Sequence, residues 1–378
     1  MAERADIVII GGGIVGVSLA ARLAGSRRIV LLEAEAHFGT QSTGRSAALF
    51  VEAYGPPAIR RLTALSREFF GAPPPGFAEG PLTRKRGALS YATADATDRL
   101  EHEIALTTGM AGIEKLDAAG VLARCPLLRP GIAVAGLYDD NVLDIDAAAL
   151  LQGFVRMAGA GGVALRRGAP LRAAGRANGR WHVETTAGTI EAEILVNAAG
   201  AWADSVAAAA DLVPLGLQPH RRTAATLAVP AEYADLVPAL PAVFPVDESF
   251  YFKPEARSIM VSLADETPSE PCDAYPEDFD VAMGLERFHE ATIFPRSRPV
   301  AAWAGLRTFA PDRTPVVGFD TRAENFFWCA GQGGYGIQTS PALSALAARL
   351  LLGTGPAPGE EELLPLLSPG RLHRSLRA

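Results

Sequence analysis

Apolar and polar positions along the chain alternate between two rhythms, and the switches between them mark the elements. Residues 5–10 (ADIVII) are an unbroken apolar run, as expected of a strand buried on both faces. Residues 14–25 carry apolar side chains at helical spacing, and residues 28–32 (RIVLL) return to a buried strand. The same reading predicts helices over 56–70, 94–109, 117–125, 147–159, 281–292 and 337–352. It predicts strands over 84–92, 133–138, 215–229, 249–253, 301–309 and 326–330, and a hairpin of 180–185 with 189–196 around Ala187-Gly188. Asp144 and Asp146 precede the helix at 147, where the helix dipole favours acids. Pro341 is read as close enough to the start of its helix to be tolerated. Residues 71–80, with Pro73, Pro74 and Pro75, read as a rigid connector and a lobe boundary, and the basic stretch 368–378 as a loose tail.

The first strand runs straight into Gly11-Gly12-Gly13-Ile14-Val15-Gly16, which fills the pattern G-x-G-x-x-G. Gly11 permits the tight turn, Gly13 lets the backbone approach a pyrophosphate, and Gly16 lets the helix pack close to the strand. The helix start offers free N–H groups to phosphate. Glu33 ends the second strand at the spacing where an acid binds a ribose diol, which disfavours the 2′-phosphate of NADP and leaves NAD and FAD open. A second glycine turn, Asn197-Ala198-Ala199-Gly200, follows the strand at 189–196, and Gly331-Gln332-Gly333-Gly334-Tyr335-Gly336 follows the one at 326–330. Glycine turns at both ends, with sheet-like segments between, predict a dinucleotide lobe built from N-terminal, middle and C-terminal parts. The insertions would form a cap. A large cofactor stretched between two lobes and touched by both turns suits FAD better than NAD. Residues 39–49 (GTQSTGRSAAL) could lie along it, although alone they read as an ordinary polar loop.

Composition narrows the class. A chain of 378 residues suggests two lobes, and 49% hydrophobic with 20% charged residues suits a large core. The net charge of −7 gives no general attraction to nucleic acid or acidic lipid. No apolar run is long enough to span a bilayer; the best, 342–352, contains Arg349. Cys125, Cys272 and Cys329 lack metal-ligand spacing and are odd in number, so neither a metal site nor a disulfide framework is expected. With a first strand beginning near Met1, the expectation is a leaderless chain in a reducing cytoplasm. The six histidines lie outside these motifs and none is expected to be catalytic.

As a set, GGGIVGVSLAARL, Glu33, QSTGRSAA, VNAAGAW, AGLRTF and GQGGYGIQTS resemble the FAD-dependent D-amino-acid oxidase superfamily. Within it, the bacterial D-arginine dehydrogenases share STGRSAA, Ala53-Tyr54-Gly55, PLGLQP, Arg221-Arg222, DESFY and WAGLR with this chain. The resemblance implies an α/β fold: a glutathione-reductase-type FAD-binding Rossmann lobe over 1–85, 141–213 and 303–378, and an α+β cap with a mixed sheet over 86–140 and 214–302. It implies hydride transfer from Cα of an amino acid to flavin N5, giving an imino acid that hydrolyses to a 2-oxo acid and ammonia. With no cysteine in AGLRTF, the FAD is expected to be noncovalent. The electron acceptor is left open among oxygen, a quinone or another carrier.

Carried over residue by residue, Arg222 and Arg307 resemble the pair that clamps a substrate carboxylate, which Arg binds in a two-bond fork. The ordinary alternative for each is an ion pair. Arg221, next to Arg222 on a strand, would face away. Tyr54 and Tyr251 resemble phenols lining the substrate cavity, and Gly334 would offer its carbonyl to the amine. Ala34, Ser42, Thr43, Gly44, Arg45, Ser46 and Ala47, with Gly11, Gly13, Ile14, Val15, Gly16 and Glu33, would hold the cofactor. Ala199, Gly200 and Trp202 would touch its adenosine side. Gly333, Gly334, Tyr335, Gly336, Ile337, Gln338 and Thr339, with Arg307, would border the flavin, where a helix N-terminus stabilises negative charge. The D-arginine enzymes have a histidine where this chain has Leu49, and a glutamate where it has Arg86-Gly87-Ala88-Leu89. An unpaired guanidinium would be costly there, so Leu49, Phe50 and Ala88 are expected to line an apolar pocket for a neutral D-amino acid. Oxidation of a secondary amine or 2-hydroxy acid, or a non-catalytic flavin-bearing subunit, are the alternatives.

Overall fold

The computed structural model describes residues 3–377, with side chains through residue 373. The first glycine turn is the hub of a six-stranded sheet. Its order is Ala164–Arg166, Ile29–Leu32, Ile7–Ile10, Ile194–Asn197, Phe326–Ala330, Val316–Phe319, all parallel except the last. Ile7–Ile10, Ile29–Leu32 and Phe326–Ala330 are buried at every position, because helices or a second sheet cover both faces. Helix Ile14–Leu23 packs between Ala147–Ala160 and Gly336–Leu352. Gly16 makes this possible: a Cβ there would lie 1.9 Å from the Gly11 carbonyl oxygen. Gly11 itself has φ +109°, and a Cβ on it would meet Ala198 O at 2.3 Å.

The second sheet has nine strands and is mixed. Ala242–Pro245 runs parallel to Ala88–Ala92, and the other neighbours are antiparallel. Helices Ala118–Arg124 and Asp278–Ala291 cover one face through Val121, Phe288 and Ala291. Thr97–Leu106 covers one end of the other face through Leu100. The rest of that second face looks onto the first sheet.

Several expectations are corrected. The run 84–92 is two strands: Thr83–Lys85 joins a small sheet with Leu143–Ile145 and Leu49–Phe50, whereas Ala88–Ala92 joins the nine-stranded one. Gly87, at φ +72°, makes the break. The run 189–196 also divides, into Gly188–Ala192 of a four-stranded sheet and Ile194–Asn197 of the six-stranded one. Both divisions follow from pairing with strands distant in the chain, which the local pattern does not show. Residues 71–80, read as a rigid connector, also contribute to the core: Phe77 is buried against Phe69 and Phe154. Pro341 lies beyond the first turn of Gly336–Leu352, and the Ser340 hydroxyl donates to the Ile337 carbonyl that Pro341 cannot serve. The tail is anchored: Pro369–Arg377 winds as a 3-10 helix, Leu372 is buried, and Arg371 pairs with Asp312. Ala378 lies outside the described residues.

A buried charge cluster ties the small sheet to the nine-stranded one. Asp144 accepts from Arg86 Nε at 2.8 Å and Lys253 Nζ at 3.2 Å. Arg86 also donates to the carbonyls of Pro238 and Leu240. Burial alone would raise the Asp144 pKa, but the two cations outweigh it and hold it below the usual carboxylate value.

Candidate functional site

A cleft of about 430 Å³ runs between the glycine turns of the first sheet and the open face of the second. Gly11, Gly13, Ile14, Val15, Glu33, Ala34, Ser42, Thr43, Arg45, Ser46, Ala47, Ala199, Gly200 and Trp202 line it, as do Arg222, Tyr251, Arg307, Gly333, Gly334, Gly336 and Ile337. Glu33 takes the Gly12 N–H at 2.6 Å and the Glu35 N–H at 2.8 Å. Burial raises its pKa, and those N–H donors offset part of the rise. Two bonds leave the carboxylate spare acceptor capacity for a diol.

The two arginines owe their meeting to sheet register. Strands Gln218–Ala228 and Ala301–Phe309 are antiparallel, with Arg222 opposite Gly305 and His220 opposite Arg307. Arg222 and Arg307 are therefore diagonal neighbours on one face. Arg222 donates to Glu266 at 3.2 Å, and its Nε is buried without a partner. Burial and then the nearby Arg307 lower the Arg222 pKa. Arg307 faces the cleft, and among the described residues no side chain or carbonyl hydrogen-bonds or ion-pairs with its guanidinium. Burial opposes its charge, but Tyr251, Tyr54, Tyr335 and Glu266 outweigh that and raise its pKa. Arg221 points to the other face, onto Glu277 and Asp280. Tyr251 is buried and stacks on Phe244 at 5.4 Å, next to Ala224 and Met260. Tyr54 is 42% exposed and meets the buried Tyr335 edge-on at 5.2 Å.

Residues 6–350 match the family described as FAD dependent oxidoreductase (DAO). The chain belongs to that family, and its cofactor is FAD. It is 26% identical to the mitochondrial dimethylglycine dehydrogenase of Rattus norvegicus over 89% of its own length. It spans only 41% of that relative. It is 25% identical to the glycine oxidase of Geobacillus kaustophilus, covering 93% of this chain and 94% of that one. The solved L-proline dehydrogenase of P. horikoshii has the same fold, with a TM-score of 0.84, 20% identity and 99% of each chain covered. The α/β architecture with a mixed sheet agrees with the expectation from the sequence.

The cleft suits FAD on its own observations. Thr308 Oγ1 and Gln332 Nε2 are buried in its lining with no partner, as expected of groups that await a polar ligand. Sequence reasoning missed both as binders, although Gln332 sits in the GQGGYG motif where it could have been flagged. It also missed Phe244, Met260 and Glu266, for which the sequence carries no local signal.

Other expectations fail for identifiable reasons. The Arg45 guanidinium is already held by protein partners: Asp273, the carbonyls of Ala274 and Ala304, and the Thr40 carbonyl of its own loop. The Ile14 N–H is not free, because Thr43 Oγ1 accepts it at 3.0 Å. Gly16 packs helix on strand as expected but lies off the lining, as does Gly44, whose N–H closes a turn onto Gly39 O. Gln338 is tied to Val51 and Thr63, and both the N–H and the hydroxyl of Thr339 close onto Tyr335 O. Phe50 is fully buried in the core against Phe70, so it lines no pocket. Leu49 is half-buried on the adjacent position and also lies off the lining. Ala88 shares a face with Tyr251, but the strand carrying Phe244 stands between them. No helix among the described residues is long and apolar enough to cross a membrane.

Proposed function

We propose that this chain oxidises the carbon–nitrogen bond of a small amino carboxylate, with the substrate carboxylate held by Arg307 and Arg222. The observation that carries this reading is Arg307: a guanidinium in the cleft with no protein anion of its own. A bound carboxylate would supply it, in a bidentate geometry that fixes the neighbouring Cα. FAD supplies the chemistry, taking two electrons and a proton as a hydride from the C–H next to nitrogen. Tyr251, with Phe244 stacked on it, would wall the cavity, and Tyr54 and Tyr335, which meet edge-on near Arg307, would limit access of water. Gly334 lies against Arg307, so its carbonyl would be close to the substrate amine. Its nearest neighbours, Gly333 and Gly336, would border the flavin. The glycine turns and Glu33 would bind the dinucleotide portion, and we infer that the attachment is noncovalent.

The substrate side chain is expected to be neutral. Among the described residues the acids of the cleft lining are Glu33 and Glu35, both beside the first glycine turn, and the lining near Tyr251 is Ala224 and Met260, with Phe244 stacked on Tyr251. A neutral D-amino acid fits this wall. An N-alkyl amino acid is the second reading, favoured by the similarity to dimethylglycine dehydrogenase. The test is anaerobic addition of D-, L- and N-methyl amino acids to the yellow protein. Bleaching by neutral substrates and not by D-arginine is expected. Equal bleaching by D-arginine would reject the neutral pocket, and no bleaching by any of them would reject the amine reading.

A further inference from the structure

Arg222 is flanked on both sides in its sheet. On one side lies Gly305, which has no side chain. On the other, strand Thr267–Pro268 pairs Thr267 with Arg221 and Pro268 with His220, which places Glu266 directly across from Arg222. Side chains directly opposite share a face and meet. Here Glu266 Oε1 accepts from Arg222 Nη2 at 3.2 Å.

Glu266 is itself fixed from behind. Arg313 Nη2 donates to both of its oxygens, at 2.9 and 3.0 Å. The Arg313 guanidinium lies 3.9 Å from the centre of the Phe309 ring, and that ring in turn meets Tyr335 edge-on. The Glu266 carbonyl accepts from His220 Nδ1 at 3.0 Å, and His220 is the residue opposite Arg307. Glu266 thus bonds Arg222 directly and bonds His220, the strand neighbour of Arg307, while remaining outside the cleft lining.

We propose that Glu266 is a positioning residue for the carboxylate site, resting on the reading that Arg222 and Arg307 bind a carboxylate. It restrains a flexible Arg222 side chain against the sheet, so that less conformational freedom is lost when substrate arrives. With Arg222, Arg307 and Arg313 around the single carboxylate of Glu266, the group keeps a net positive charge that favours an anionic ligand.

The sign of the mutational effect separates this role from its rivals. Electrostatics alone predicts that deleting a negative charge beside an anion site tightens anion binding. Positioning predicts the reverse for E266A, with rescue by E266Q, which keeps the acceptor. The measurement is titration of the FAD-loaded protein with benzoate, read by its visible spectrum, together with KM and kcat for the best amino acid. We expect E266A to raise the benzoate Kd and the KM by about 10-fold or more with kcat little changed. We expect E266Q to stay within about 3-fold of the parent. Tighter binding by E266A, or unchanged binding with only a lower Tm, would overturn the proposal. A parent protein that binds no carboxylate at all would instead overturn the reading on which it rests.

Discussion

At the residue scale, the proposed carboxylate site turns on Arg307, a guanidinium without a protein partner among the described residues. Replacing Arg307 by Lys keeps one charge and loses the planar fork, so KM should rise by about 10- to 100-fold with the melting temperature unchanged. Steady-state kinetics beside a thermal melt checks both. Gly334 offers an independent test. A Cβ there would approach Arg307 Cζ at 3.0 Å, so G334A should displace the guanidinium and raise KM without unfolding the chain. Arg222, Arg307 and Tyr251 were legible in the sequence through motif resemblance. Their partners Glu266 and Phe244 were not, because 44 residues separate Glu266 from Arg222 and only strand register makes them neighbours. Arg45 was misplaced for a similar reason: the acid that claims it, Asp273, comes from a distant segment.

At the element scale, two devices can be tested by stability. Ser340→Ala would leave the Ile337 carbonyl without a donor inside a helix already interrupted by Pro341. The expected cost is about 1–3 kcal/mol, measured by urea unfolding. Asp144 joins two sheets through Arg86 and Lys253. Removing its charge in Asp144→Asn should cost about 3 kcal/mol near neutral pH, because Arg86 stays buried without its anion and Lys253 keeps only the more exposed Glu255. Its folded pKa is depressed below the ordinary value of 3.8. Its contribution is therefore fully present above about pH 3.8 and is lost as pH falls through the lower folded value. The parent should lose stability over that acid range, and Asp144→Asn should lack this component.

At the scale of the whole molecule, the layers decide which groups meet solvent. Burial pushes the thiols of Cys125 and Cys329 up to about 12, whereas Cys272 is exposed. A thiol reagent at neutral pH should therefore label Cys272 alone in the native protein and all three cysteines after denaturation. Labelling of Cys329 in the native state would mean that the six-stranded sheet opens readily. The same layering explains why the apolar pocket was drawn with the wrong residues. Motif resemblance put Leu49, Phe50 and Ala88 at the site, yet strand alternation turns Phe50 into the core and an intervening strand separates Ala88 from Tyr251.

The sequence by itself determined the dinucleotide turn, the acid that ends the second strand, the family and the principal helices and strands. Those features are local: a glycine spacing, an apolar period or a cap is set by residues a few positions apart. Tertiary structure alone decided where long apolar runs change sheets, which side chains of a motif face the cleft, and which acid restrains Arg222. Each of these depends on pairing between strands distant in the chain. A shift of one residue in that pairing would turn every side chain to the opposite face.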